Sequence, residues 1–177
     1  MAPAPAGRTR APRRAGRGFG GDKPKRYKRV PVSQEQLLAD HGEAWAEQVG
    51  RVLQGEAAPS AEALMRSRFS AVRARDLTFL VKTERSPPDE NLGREERLQR
   101  WAILLGVEEP PEESEAQPSE ALRNIERLEV VRAEGSEVEY KMHCGSYGTW
   151  HERSIFSEDL KRGYLNTGSV FHTWVER

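Results

Sequence analysis

Near residue 120 the hydrophobic period of this chain changes, and that change limits what it can fold into. Ala61, Leu64, Met65, Phe69 and Val72 fall at i, i+3, i+4, i+8 and i+11, the stripe of an amphipathic helix. Val138, Tyr140, Met142 and Cys144 instead alternate with Glu137, Glu139, Lys141 and His143, the pattern of a strand with one buried face. Glu134-Gly135-Ser136 and Gly145-Ser146-Tyr147-Gly148 are turn signals on either side of it, which predicts strands near 124–133, 137–144, 149–157 and 164–175. Helices first and an antiparallel meander afterwards make an α+β domain, with three to four helices packed on one face of a curled sheet of about four strands.

The helical part has its own punctuation. Ser33 and Gln36 read as a capping box opening a helix over 33–54, with Leu38, Trp45, Val49 and Val52 near helical spacing; Gly42 and Gly50 are the points where it would split in two. Ser60 caps the next helix, and Asp76 caps a short one carrying Leu77, Leu80 and Val81, closed by Pro87 and Pro88. A further helix over about 93–105 puts Leu98, Trp101, Ala102 and Leu105 on one side, and 107–119 is an acidic, Pro-rich loop.

Residues 1–32 differ in kind. Arg8, Arg10, Arg13, Arg14, Arg17, Lys23, Lys25, Arg26, Lys28 and Arg29 face Asp22 alone, and because the chain balances 28 basic against 28 acidic residues, the rest is correspondingly acidic. Rich in Pro, Gly and Arg, this tail has almost nothing to bury, so disorder is expected, with a single domain over 33–177. Its Arg17-Gly18-Phe19-Gly20-Gly21 run resembles Arg-Gly segments that contact RNA by phosphate charge and stacking, which makes Arg8, Arg10, Arg13, Arg14 and Arg17 candidate nucleic-acid contacts. The bland reading is a basic arm that aids solubility. A transit peptide to an organelle is the weaker alternative to a cytoplasmic setting, since serine is missing before Ser33 and Pro and Gly oppose an amphipathic helix. One cysteine, Cys144, excludes an internal disulfide, and the histidines lack metal-ligand spacing. No apolar run is long enough to span a bilayer, and neither a cofactor nor a metal is expected.

Leu64-Met65-Arg66-Ser67-Arg68-Phe69 and His151-Glu152-Arg153-Ser154, within Pro59–Ser86 and Ile125–Ser157, resemble the YchJ-like family. The resemblance implies the nuclear transport factor 2-like, or cystatin-like, cone fold and a pocket, but no reaction. The Cys-rich zinc motif often carried by such proteins has no counterpart here, and Lys82-Thr83-Glu84-Arg85 stands where the family tends to show Trp-His.

Helix spacing turns Arg68 onto the apolar face, and the strand register that buries Trp150 and Phe156 also turns Glu152 and Ser154 inward. An inward arginine and an inward glutamate are expected to pair, as a ligand-orienting pocket floor or as a structural ion pair. Cys144 beside His143 and His151 reads as a nucleophile or as a small buried hydrophobe, and Glu152 with His151 as an acid–base pair only if adjacent strand residues did not diverge. Three functions stay open. One is a non-enzymatic binding or adaptor module, monomer or dimer, for a protein or small-molecule ligand, with a pocket of Met65, Phe69, Trp101, Tyr140, Trp150, Ser154 and Phe156. The second is an isomerase- or hydrolase-type enzyme using Glu152 and Arg68. The third is an RNA- or ribosome-associated protein held by residues 1–30.

Overall fold

The computed structural model of the chain describes residues 26–85, 92–112 and 117–175. Ser33 Oγ accepts the Gln36 N–H at 3.1 Å and starts α1 (Gln34–His41), while the Gln36 side chain donates forward to Asp40 Oδ1 at 2.8 Å rather than back to close the box. Gly42, at φ 71 and ψ 174, breaks the run, and α2 (Glu43–Gln54) begins immediately after it. The expected long helix is thus two, split where only glycine adopts the backbone angle cheaply.

Ser60 caps α3 (Ala61–Ala74) and Asp76 caps α4 (Leu77–Lys82), each accepting the expected N–H. Then come α5 (Arg94–Leu104) and a one-turn α6 (Glu120–Arg123), which the acidic loop gave no reason to expect. Six helices therefore stand among the described residues where three to four were predicted. The Arg8, Arg10, Arg13, Arg14 and Arg17 contacts expected of the tail, and the Pro87–Pro88 stop, lie outside the described residues.

Four strands follow: β1 (Arg127–Glu134), β2 (Glu137–His143), β3 (Thr149–Asp159) and β4 (Gly163–Val175), antiparallel in the order β1-β2-β3-β4. Register shifts at Val130/Arg132 and at two points of the β3–β4 pairing insert extra residues, which bends strands and curls the sheet. Across its concave face lies α3, in contact with β1, β2 and β4, burying Leu64, Met65 and Phe69 in one core with Val138, Met142 and Phe156. No helix among the described residues is long and apolar enough to cross a membrane.

Segment 26–32, assigned to the tail from sequence, has neither helix nor strand, yet Tyr27 and Val32 pack against the core. The Tyr27 hydroxyl donates to Glu108 Oε1 at 2.6 Å, and Arg29 Nε to Asp76 Oδ2 at 3.3 Å. Tyr27 and Val32 are the apolar residues that give this stretch something to bury.

At its outer edge β4 is held by the helical layer. Asn166 exchanges backbone hydrogen bonds with Thr83 and Arg85 at 2.9 and 2.8 Å, and Gly163 forms a bridge with Ala58. A Cβ on Gly163, at φ 74, would lie 2.6 Å from the Ala58 carbonyl oxygen and 2.7 Å from its nitrogen. Both contacts are backbone, so neither can swing away. Gly163→Ala is expected to cost about 2–4 kcal/mol, combining strain and overpacking, and to lower Tm by about 5–10 °C; an unchanged melting curve would refute the clasp.

His41 sits buried between α1 and α3, its Nε2 2.7 Å from Ser70 Oγ and its ring edge-on to Phe69. Burial, and then the charges of Arg66 and Arg73, lower its pKa from 6.5 to about 4. The unfolded chain therefore takes up this proton first, so the stabilisation is complete above pH 6.5 and is lost as pH falls toward 4. It amounts to about 3 kcal/mol. Thermal melts across that window should show a steep fall in Tm that His41→Gln flattens; parallel profiles for the two proteins would contradict the assignment.

Candidate functional site

A cavity of about 570 Å³ opens between α3, α5, α6 and the concave face of the sheet. Its walls come from helical spacing on one side and strand alternation on the other. From α3 come Met65, Arg68, Phe69 and Val72; from α5 and α6, Trp101, Leu104, Ala121 and Leu122; from β2, Tyr140 and Met142; from β3, Trp150, Glu152 and Phe156. Glu84, Asn166 and Trp174 also line it, and none of the three was singled out from sequence. Six of the seven sequence-predicted pocket residues thus face one space. The seventh, Ser154, is buried behind the wall and reaches the site through Glu152.

Arg68 does turn inward, with 13 % of its side chain exposed, but its partner is not Glu152. Its Nη1 donates to the Leu80 carbonyl at 2.8 Å and to Thr83 Oγ1 at 2.9 Å, and its Nη2 lies 3.7 Å from Glu84 Oε2. The guanidinium also stands over the Trp101 ring, 5.7 Å from its centroid. Glu84 also accepts the Trp101 Nε1–H at 2.9 Å and has Arg97 Nη1 as an ion-pair partner at 3.7 Å. The expected Arg68–Glu152 pair is therefore replaced by an Arg68–Glu84 pair, because α4 ends with its carbonyls and Glu84 directly under the guanidinium. Burial lowers the Arg68 pKa, and the negative charges of Glu84 and Glu152 oppose that shift.

Glu152 has a different environment. Trp150 Nε1 donates to its Oε2 at 2.8 Å and the Ser154 hydroxyl to its Oε1. The Tyr140 hydroxyl lies 3.4 Å from Ser154 Oγ, and its pKa is pushed upward by burial and by the Glu152 charge, so it remains a neutral phenol. Among the described residues no basic side chain forms an ion pair with Glu152.

Other constellations come apart. His151 and Glu152 diverge: His151 Nε2 bonds Glu139 Oε1 at 2.9 Å on the opposite face of the sheet. His143 turns to Glu129 and Thr149. Cys144 is fully buried, its thiol held near the Met142 carbonyl and its pKa raised by burial, so neither histidine is placed to activate it. No group of three or more His, Cys, Asp or Glu among the described residues is gathered as a metal site.

Residues 60–167 match the family model described as YchJ, middle NTF2-like domain. The match takes in α3 to α6, β1 to β3 and the start of β4, and leaves α1, α2 and the rest of β4 outside. No curated protein and no solved structure matches the chain.

In a double-mutant cycle, Arg68 and Glu84 should couple by about 1–3 kcal/mol, the range of directly contacting charges, and Arg68 with Glu152 by distinctly less. Equal coupling, or a stronger Arg68–Glu152 term, would contradict the geometry.

Proposed function

Since the chain belongs to the family of the YchJ middle domain, with its nuclear transport factor 2-like fold, we propose that it is a binding or adaptor module whose ligand enters the cavity between α3 and the sheet. The observation that carries this reading is the cavity's make-up. About 570 Å³, walled by Phe69, Trp101, Trp150, Phe156 and Trp174 and supplied with a few fixed polar groups, is the size and chemistry of a small-molecule site. The polar groups are held by their neighbours before any ligand arrives, which lowers the ordering cost of binding. A cytosolic setting is part of the same proposal, resting on the single cysteine.

A second reading, an enzyme using Glu152 as acid or base, is supported by one observation: a carboxylate faces the same cavity as Arg68. Against it, both Glu152 oxygens already hold donors and Arg68 is committed to Glu84. Fold alone does not choose between the two. RNA or ribosome association through residues 1–30 remains a separate proposal.

The test is to fill the space. A neutral, environment-sensitive naphthalene dye should bind the intact protein at one equivalent, and Ala121→Trp, which projects into the cavity, should reduce that binding at least about tenfold while Tm stays within a few degrees. Deleting residues 1–25 should leave it unchanged. Dye binding that survives the filled cavity, or that disappears with the tail, would move the site elsewhere.

A further inference from the structure

The cavity contains the same small arrangement twice, once complete and once not. In the first, Trp101 Nε1 donates to Glu84 Oε2 at 2.9 Å, and the Arg68 guanidinium lies against both the carboxylate and the indole face. In the second, Trp150 Nε1 donates to Glu152 Oε2 at 2.8 Å; one face of this indole is stacked on the His172 ring, 5.0 Å between centroids, and Trp174 stands at 6.2 Å. Among the described residues no cation forms an ion pair there.

Resting on the reading that this cavity is the binding site, we propose that its ligand is an organic cation, an ammonium or guanidinium group on an apolar or aromatic body. The charged N–H groups meet Glu152, and the body lies against Trp150 and Trp174.

Three features favour this class over anions or neutral compounds. First, the carboxylate's own donors, the Trp150 N–H and the Ser154 hydroxyl, occupy one site on each oxygen and leave further lone pairs for an incoming donor. Second, Arg68, the one lining cation among the described residues, is spent on Glu84 and on two oxygens of the α4 terminus, so an anionic ligand would meet Glu152 without a free guanidinium to receive it. Arg97 reaches Glu84 without being part of the lining. Third, indole faces attract cations through their ring quadrupole, the attraction Arg68 already makes with Trp101. Among the described residues the titratable side chains lining the space are Arg68, Glu84, Tyr140 and Glu152, with His172 beside them, paired with Glu152 across β3 and β4 and stacked on Trp150. With Tyr140 a neutral phenol, the described lining residues carry one positive charge against two negative ones.

The experiment uses the full chain and probes matched in shape: benzylamine and benzyltrimethylammonium as cations, benzyl alcohol as neutral, benzoate as anion. Binding is followed in two-dimensional spectra of the tryptophan indole groups. The cations should bind at least about tenfold more tightly than benzyl alcohol, should move the Trp150 indole resonance most, and should outcompete benzoate entirely. Glu152→Gln, which keeps an oxygen for the Trp150 N–H, should remove the preference for cations and leave benzyl alcohol binding as it was.

Equal binding of cation and neutral probe, or a preference for benzoate, would overturn the proposal while leaving the cavity reading intact. Failure of every probe to perturb Trp101, Trp150 or Trp174 would overturn both. The wild-type comparison decides the matter even if Glu152→Gln does not fold.

Discussion

Glu84 is the point on which the architecture of this domain turns. A guanidinium placed on the apolar face of α3 would cost several kcal/mol if left unpaired in the interior, and the carboxylate at the end of α4 is what makes Arg68 tolerable there. The same carboxylate receives the Trp101 indole and Arg97 of α5, while its own backbone segment bridges Asn166 of β4. Three walls of the cavity, α3, α5 and the edge strand, are thereby set in position around one group. Glu84 and Arg68 are each less than a fifth exposed, so solvent screens little of the attraction.

That arrangement separates the two carboxylates of the cavity by role. Glu84 pairs with two guanidinium groups, accepts the Trp101 indole N–H and acts as a tie between elements. Glu152 holds neutral partners, the Trp150 indole and Ser154 hydroxyl with the Tyr140 phenol beside them, and faces open space. Packing explains the difference. The α4 terminus brings Glu84 against two helices, whereas Glu152 sits on the concave side of β3, where α3 and α5 stand off from the sheet and leave the cavity between them. A domain of this fold can therefore keep a rigid floor and a receptive wall in one small space.

Much of this was legible in the residues themselves. Alternation over 137–144 and the inward register of Trp150, Glu152 and Phe156 predicted the concave face, and helical spacing predicted an inward Arg68. What the pattern could not supply was the partner. Glu84 lies beyond the periodic part of α4, just ahead of a proline pair, where a charged residue reads as solvated; only the return of β4 to Thr83 and Arg85 encloses it. Trp174 and Asn166 escaped notice for a different reason: two register shifts between β3 and β4 break the strict period of two, so parity along β4 does not report which side faces in. Gly42 and Gly50 were both legible as break points of the first helix, and the positive φ of Gly42 is what decides between them, whereas α6 is too short to carry a periodic signal.

The division of labour between Glu84 and Glu152 is most directly tested by the side-chain spectrum of the four tryptophans in the free protein. The account predicts that Glu84→Gln displaces the Trp101 indole N–H resonance and leaves Trp150 in place, and that Glu152→Gln does the reverse, each with the backbone spectrum otherwise preserved. If instead Glu152→Gln moves Trp101, or Glu84→Gln leaves it untouched, the carboxylate at the end of α4 is not the tie that holds this cavity open.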